Sequence, residues 1–169
     1  MMTSTAEALL TEFTGLYAET HKDEISVLIP KDYTQFNRDG AKLSTLAAST
    51  AASAFSLQYG ERVQFDVEIY AMFSEDTIYD YFRWRQADAC RFAIFSHAVS
   101  QLKRAKKISQ EKAEKYLKGF STQQCLQLLE NLKFNMNSNT PLWHRRGSGL
   151  FWRLYFKSGI NPTTNKVLS

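Results

Sequence analysis

Proline, glycine and cysteine are scarce in this chain of 169 residues, with 3, 7 and 2 copies respectively. So few prolines and glycines exclude long flexible or low-complexity linkers. The two cysteines, Cys90 and Cys125, are too few and too far apart for a zinc motif; their context suggests reduced thiols in a cytoplasmic protein. No run approaches ~18 consecutive apolar residues, so no helical membrane span is expected. The opening "MMTSTAEALLTEF" lacks the basic start and apolar core of a secretory signal. The three histidines, His21, His97 and His144, show no metal-binding spacing, and no glycine-rich phosphate loop or nucleophile triad can be defended. What remains is a chain 44% hydrophobic and 14% aromatic, enough for one globular domain with a real core. Its formal net charge of +4 is compatible with a polyanionic partner.

Apolar periodicity supplies the elements. Ala6, Leu9, Leu10 and Phe13 recur at helical spacing until Gly15. Leu16–Thr20 and Glu24–Ile29 read as a hairpin joined around His21 and Lys22, closed by Pro30. A small-residue helix is expected over about Arg38–Leu57. In "RVQFDVEIYAMF", Val63, Phe65, Val67 and Ile69 alternate with Gln64, Asp66, Glu68 and Tyr70, the signature of a strand. Ser74, followed by Glu75 and Asp76, marks the N-cap of a long helix ending in lysines. Ser109 and Ser121 cap two more, separated by Gly119. A polar loop, an aromatic strand or extended segment and an Asn-Pro turn follow. The order predicts an α+β fold with an antiparallel sheet, helices on one face and a helical C-terminal extension. The sheet-forming portion is expected over about 1–73, which the resemblance described below identifies as a palm portion, and a helical and C-terminal portion over about 74–169. A chain that enters a helix without a lead-in also reads as truncated at its N-terminus.

Asp23 and Glu24 stand side by side at the mouth of the hairpin. A magnesium site takes one or two carboxylates completed by water and substrate phosphates, so one of the pair would serve if a partner came from elsewhere. On pattern alone a solvated hairpin mouth is the commoner use. Arg38 and Lys42 stand four apart at a helix start, where anions are favoured, and would suit a triphosphate; a solvated helix end has the same spacing. Arg83 and Arg85 flank Trp84, while Arg145 and Arg146 follow Trp143 and His144. Arginines interleaved with aromatics suit nucleic acid, although they also brace folds. Lys103, Arg104, Lys106 and Lys107 close a helix, where cations are stabilising in any case. His97, on an apolar helix, reads as a packed residue.

Three stretches carry a resemblance. "KDEISVLIP", "YFRWRQADACRF" and "FNMNSNTPLWHRRGSGLFWRLY" followed by "NP" resemble, in order and spacing from about Thr3 to Val167, the tRNA(His) guanylyltransferase-like family of 3′–5′ nucleotide-adding enzymes. The resemblance implies a partial palm, ferredoxin-like domain that adds a nucleotide, typically G from GTP, to a tRNA 5′ end. Two magnesium ions would assist, with GTP or ATP and tRNA as partners and a homotetramer as the family's usual assembly. It implies Asp23 as a metal-binding and catalytic carboxylate with Glu24 beside it. Lys42, Arg38 and Lys22 become nucleotide-binding candidates, and Arg145, Arg146 and Arg85 RNA-binding ones. Departures are also plain. The family's opening Asp-Gly strand, which supplies the first metal carboxylate, has no counterpart here, and Asp39-Gly40 lies too late to replace it. After "WRQAD" the family carries His and Asn where this chain has Cys90, Arg91, Phe92 and Ala93, and Glu68 stands where an arginine is expected. The metal site is therefore expected to be incomplete and the isolated chain inactive. The alternative is a non-catalytic descendant serving as an RNA-binding or assembly subunit.

Overall fold

The computed structural model describes residues 1–154, 159–160 and 167–168. Helix α1 (Met2–Glu12) buries Thr5, Ala6, Leu9 and Leu10, with Phe13 closing its C-terminus. Strands β1 (Tyr17–His21) and β2 (Glu24–Leu28) form an antiparallel hairpin, with His21 opposite Glu24 and Tyr17 opposite Leu28. The turn is Lys22–Asp23, one residue later than expected, because Lys22 adopts the left-handed conformation (φ 58°) that a two-residue hairpin turn demands. Asp23 therefore sits in the turn itself, and only Glu24 belongs to a strand.

Helix α2 (Gly40–Tyr59) is N-capped by Asp39, whose carboxylate accepts the Lys42 N–H at 3.0 Å. That cap moves the helix start past Arg38, which lies in a turn (Gln35–Arg38) with Phe36, Asn37 and Arg38 all at positive φ. Arg38 and Lys42 thus do not share a helix face. The Arg38 guanidinium instead donates to the carbonyls of Pro30 (3.0 Å) and Tyr33 (3.1 Å), holding this costly backbone in place.

The segment 62–73 keeps its alternation, with Val63, Phe65 and Val67 half-buried and Gln64, Asp66 and Glu68 exposed, yet it pairs with no strand among the described residues. Alternation reports one buried face, and here that face meets a helix: Phe65 packs on Phe55 at 5.7 Å, and the Val63 N–H bonds Ser56 Oγ at 3.0 Å. The sheet's third strand comes from the other end of the chain. Strand β3 (Ser148–Phe151) pairs antiparallel with β1, giving the order β2-β1-β3.

Helix α3 (Glu75–Lys106) begins at Ser74, whose hydroxyl accepts the Thr77 N–H. Helices α4 (Gln110–Leu117) and α5 (Thr122–Asn131) begin at Ser109 and Ser121, the latter in a full capping box with Gln124. The expected polar loop contains two short helices, α6 (Met136–Asn139), capped by Asn135, and α7 (Leu142–Arg146). Strands β4 (Gly159–Ile160) and β5 (Val167–Leu168) pair with each other, while the expected Asn161-Pro162 turn lies outside the described residues.

Strand alternation divides β1 between two covers. Ala18 faces Ala6 and Leu10 of α1, in a core that also draws on Ile25, Val27 and Leu150. Tyr17 and His21 face α3, meeting Phe82 (4.8 Å) and Phe92 (5.8 Å) edge-on. A neighbouring cluster joins Leu9, Phe13 and Tyr33 to Leu43 and Ala51 of α2. A separate core packs Ile94, Ala98, Val99 and Leu102 of α3 against Ala113, Leu117, Cys125 and Leu129. The α+β class with an antiparallel sheet is as expected, and α3 adds a cover to the sheet's second face. Both cysteines are free, and no described helix is long and apolar enough to cross a membrane.

Candidate active site at the hairpin mouth

The tight turn presents Asp23 to solvent, its side chain 71% exposed, with Lys22 Nζ 3.2 Å from its carboxylate. The next carboxylate is held differently. Glu24 receives the Arg85 guanidinium at 2.5 Å, and that arginine side chain is only 9% exposed. Arg85 was expected to touch RNA, but α3 turns it toward the sheet and Glu24 occupies it. Its role here is to fix Glu24 beside Asp23. Phe92 covers the same mouth: Lys22 Nζ lies 4.8 Å above its ring, which also meets His21. A residue that cannot hydrogen-bond nucleotide thus packs against two polar ones.

The C-terminal basic segment arrives at this end of β1. Gly147, directly after α7, lies so close to the hairpin that an added Cβ would stand 2.8 Å from the Thr20 carbonyl and 3.2 Å from His21 Cβ. Of its two preceding arginines, Arg145 is spent on structure, donating to Thr140 O (3.1 Å) and Asn137 Oδ1 (2.7 Å). Arg146 is exposed and makes no hydrogen bond or ion pair among the described residues. Lys42, 6.0 Å from the Phe36 ring, and Arg38 form no ion pair with either carboxylate.

Behind the mouth sits a group the sequence did not announce. Glu19, central on β1 and 2% exposed, has neither carboxylate oxygen hydrogen-bonded among the described residues. Burial raises its pKa, and the nearby Arg85 charge opposes that only in part. Tyr17, also raised, feels burial first and the Glu19 charge second. His21 is lowered by burial, with Arg85 adding to the effect. The only sequence signal for this row was Tyr17, Glu19 and His21 falling on one strand face.

A second polar knot anchors α7. His97 accepts from or donates to Thr140 Oγ1 at 3.1 Å, stacks on Phe134 at 4.9 Å and meets His144 edge-on at 5.3 Å. Burial, then the His144 charge, lowers the His97 pKa. A lowered histidine contributes stability that is complete above its unfolded value of 6.5 and is lost as pH falls through the folded one. Acidifying from about pH 7 to about 5 should lower the melting temperature more in the parent than in a His97→Gln variant. Equal drops in the two proteins would remove His97 from the account.

No group of three or more His, Cys, Asp or Glu side chains able to hold a metal ion exists among the described residues. Among the described residues both carboxylates of this mouth are paired, Asp23 with Lys22 and Glu24 with Arg85, which does not fit a two-ion site; Asp23, the more exposed, is the one that would meet a magnesium ion brought in on a triphosphate.

An acidic turn with a pinned second carboxylate, set beside a basic helix at one end of an antiparallel sheet, defines a candidate phosphate-handling α+β domain. Residues 1–82 match the family model described as tRNAHis guanylyltransferase, and residues 76–167 match the Thg1 C terminal domain. The chain belongs to the tRNA(His) guanylyltransferase family. Relatives include a probable tRNA(His) guanylyltransferase of Drosophila melanogaster, 29% identical over 88% of this chain and 55% of its own length, and one of Mus musculus, 27% identical over 90% and 55%. The chain spans about half the length of these curated relatives. Among solved structures, the Saccharomyces cerevisiae tRNA(His) guanylyltransferase superposes with a TM-score of 0.78 at 24% identity, covering 89% of this chain and 71% of that one. A bacterial guanylyltransferase-like protein in complex with ATP gives 0.69 at 21% identity, over 89% and 66%. At these identities the superpositions speak for the fold.

Proposed function

We propose that the chain serves magnesium-dependent addition of a nucleotide, typically G from GTP, to a tRNA 5′ end in the 3′–5′ direction, in the cytoplasm. The observation that carries this reading is Asp23, offered to solvent in a tight turn beside a Glu24 pinned by buried Arg85. A magnesium ion bound there would neutralise charge on the transferring phosphates. Within this reading Asp23 is the metal carboxylate, and Glu24 shapes the mouth while held off the metal by Arg85. Lys22 and Lys42 are the remaining candidates for triphosphate, with Arg38 committed to its own loop. Arg146 is the better RNA contact of the C-terminal pair, since Arg145 braces the α6–α7 turn. Assembly into a homotetramer belongs to the same proposal.

One carboxylate does not make a two-ion centre, so the 169-residue chain by itself should transfer nothing above background. The check is incorporation of labelled GTP into tRNA with magnesium, run beside Asp23→Ala. Robust incorporation by the parent, abolished in the variant, would show a self-sufficient enzyme and overturn this expectation.

The second reading is a non-catalytic RNA-binding or assembly subunit. It is favoured by Phe92 capping the hairpin mouth and by the lack of a metal-holding cluster among the described residues. Magnesium-dependent GTP binding that is lost in Asp23→Ala supports the catalytic reading. RNA binding indifferent to both magnesium and Asp23, without GTP binding, supports the second.

A further inference from the structure

The positive charge of this protein is concentrated at one place. Residues 103–118 hold seven of its 21 basic residues and two of its 17 acidic ones. The rest of the chain carries fourteen basic against fifteen acidic, so this short stretch accounts for the whole net charge of +4. Lys103, Arg104 and Lys106 close α3 and are favoured there by the helix dipole. At α4 that explanation covers Lys115 and Lys118, at the end of the helix, but not Lys112, which lies in its first turn where the dipole disfavours a cation.

The two groups form one surface. Lys106 Nζ stands 4.2 Å above the ring of Tyr116, and Tyr116 in turn lies 5.7 Å from Phe120. Both rings are exposed, at 50% and 37%. Lys112 and Tyr116 are one helical turn apart, so they share a face of α4. Beneath, Ala113 and Leu117 fix α4 to α3 through the shared core, which makes the surface rigid.

We infer that this α3–α4 end is an RNA-binding surface separate from the hairpin mouth, with lysines on phosphates and Tyr116 open to stacking against a base. The inference rests on the reading of RNA as partner and is independent of catalysis. Arg85, at the mouth, and Lys106 are 21 positions apart on one helix, which is about 30 Å at helical rise. A nucleoside triphosphate at the mouth does not reach across that distance, whereas a folded RNA does. The surface would hold the body of the RNA while its end lies at the carboxylates.

The test is anisotropy titration of a labelled tRNA transcript and a short single-stranded RNA, between about 50 and 200 mM salt. Lys106→Glu with Lys112→Glu should weaken binding about tenfold or more and flatten the log–log salt slope by about one to two. Lys31→Glu with Arg62→Glu, exposed charges outside the surface, should leave both nearly unchanged. Tyr116→Ala should weaken single-strand binding about tenfold with the slope retained. Thermal melts confirm that each variant folds. In the unmodified chain, RNA should shield Lys112 and Lys115 from acylation. Equal losses in the two charge variants, or no shielding, would overturn the inference. Polyglutamate or phosphatidylserine vesicles bound as tightly as RNA, with Tyr116→Ala silent, would overturn the assignment to nucleic acid. A parent that binds no RNA refutes the proposed function as well; a parent that binds while both charge variants bind alike refutes only this surface.

Discussion

Replacing Glu19 by methionine should stabilise the protein at pH 7 by about 1–3 kcal/mol, an unusual direction for a change at a buried site. The residue is 2% exposed, and neither carboxylate oxygen has a hydrogen-bond partner among the described residues. Arg85, the cation that opposes its burial, is already committed to Glu24. Methionine fills a similar volume, adapts its shape and has no charge to desolvate. The gain should depend on pH. Glu19 has a folded pKa raised above its unfolded 4.5, so the neutral acid is tolerated below that value. Stability is then lost as pH rises through the folded pKa. The advantage of Glu19→Met should therefore be small near pH 4, grow as pH rises and level off once Glu19 is ionised in both states. Denaturant unfolding at several pH values measures it. A variant no more stable than the parent at pH 7 would mean that Arg85 serves Glu19 in solution, leaving Glu24 free.

The second large effect has the opposite sign. Gly147→Ala should destabilise by about 3 kcal/mol, or lower the melting temperature by about 6–12 °C. Gly147 has φ 77° and ψ −173°, a region essentially closed to residues with a Cβ. The added carbon would also press to 2.8 Å from the Thr20 carbonyl, which is backbone of the central strand and has little room to retreat. Relief would require α7 and β3 to move off β1. Gly119→Ala is the matched control, with a positive φ of 88° but nothing within 4 Å of the new carbon. A cost equal to that of the control would show that the close approach contributes nothing.

Elements decided by local chemistry were legible in the sequence. Ser74, Ser109 and Ser121 each accept the predicted first-turn N–H, because a cap needs only residues within three positions of itself. The hairpin was legible as an element, and its turn was one residue off because the left-handed position is taken by Lys22, not by the Gly or Asn that signals such turns. Readings that depended on distant partners went astray. Segment 62–73 has strand alternation but packs its apolar side on α2. Arg38 had helix spacing from Lys42, yet an aspartate cap intervened. The charge of Arg85 suggested a surface residue, and only the approach of β2 to α3 shows that it faces inward. Nothing local marks Glu19, since its isolation follows from β3 crossing beside β1 with glycines on both flanks of Ser148.

Helix α3 runs 32 residues without a break, about 48 Å, from the sheet to the α4–α5 core. Near its start it touches the sheet through Tyr81, Phe82 and Arg85; further on it contributes half of the α4–α5 core. Its peptide hydrogen bonds are therefore common property of both halves. Separating the halves means melting the middle turns around Ala89 and Ala93, which are fully buried. The protein should unfold in one thermal transition, with the slowest amide exchange at those central alanines.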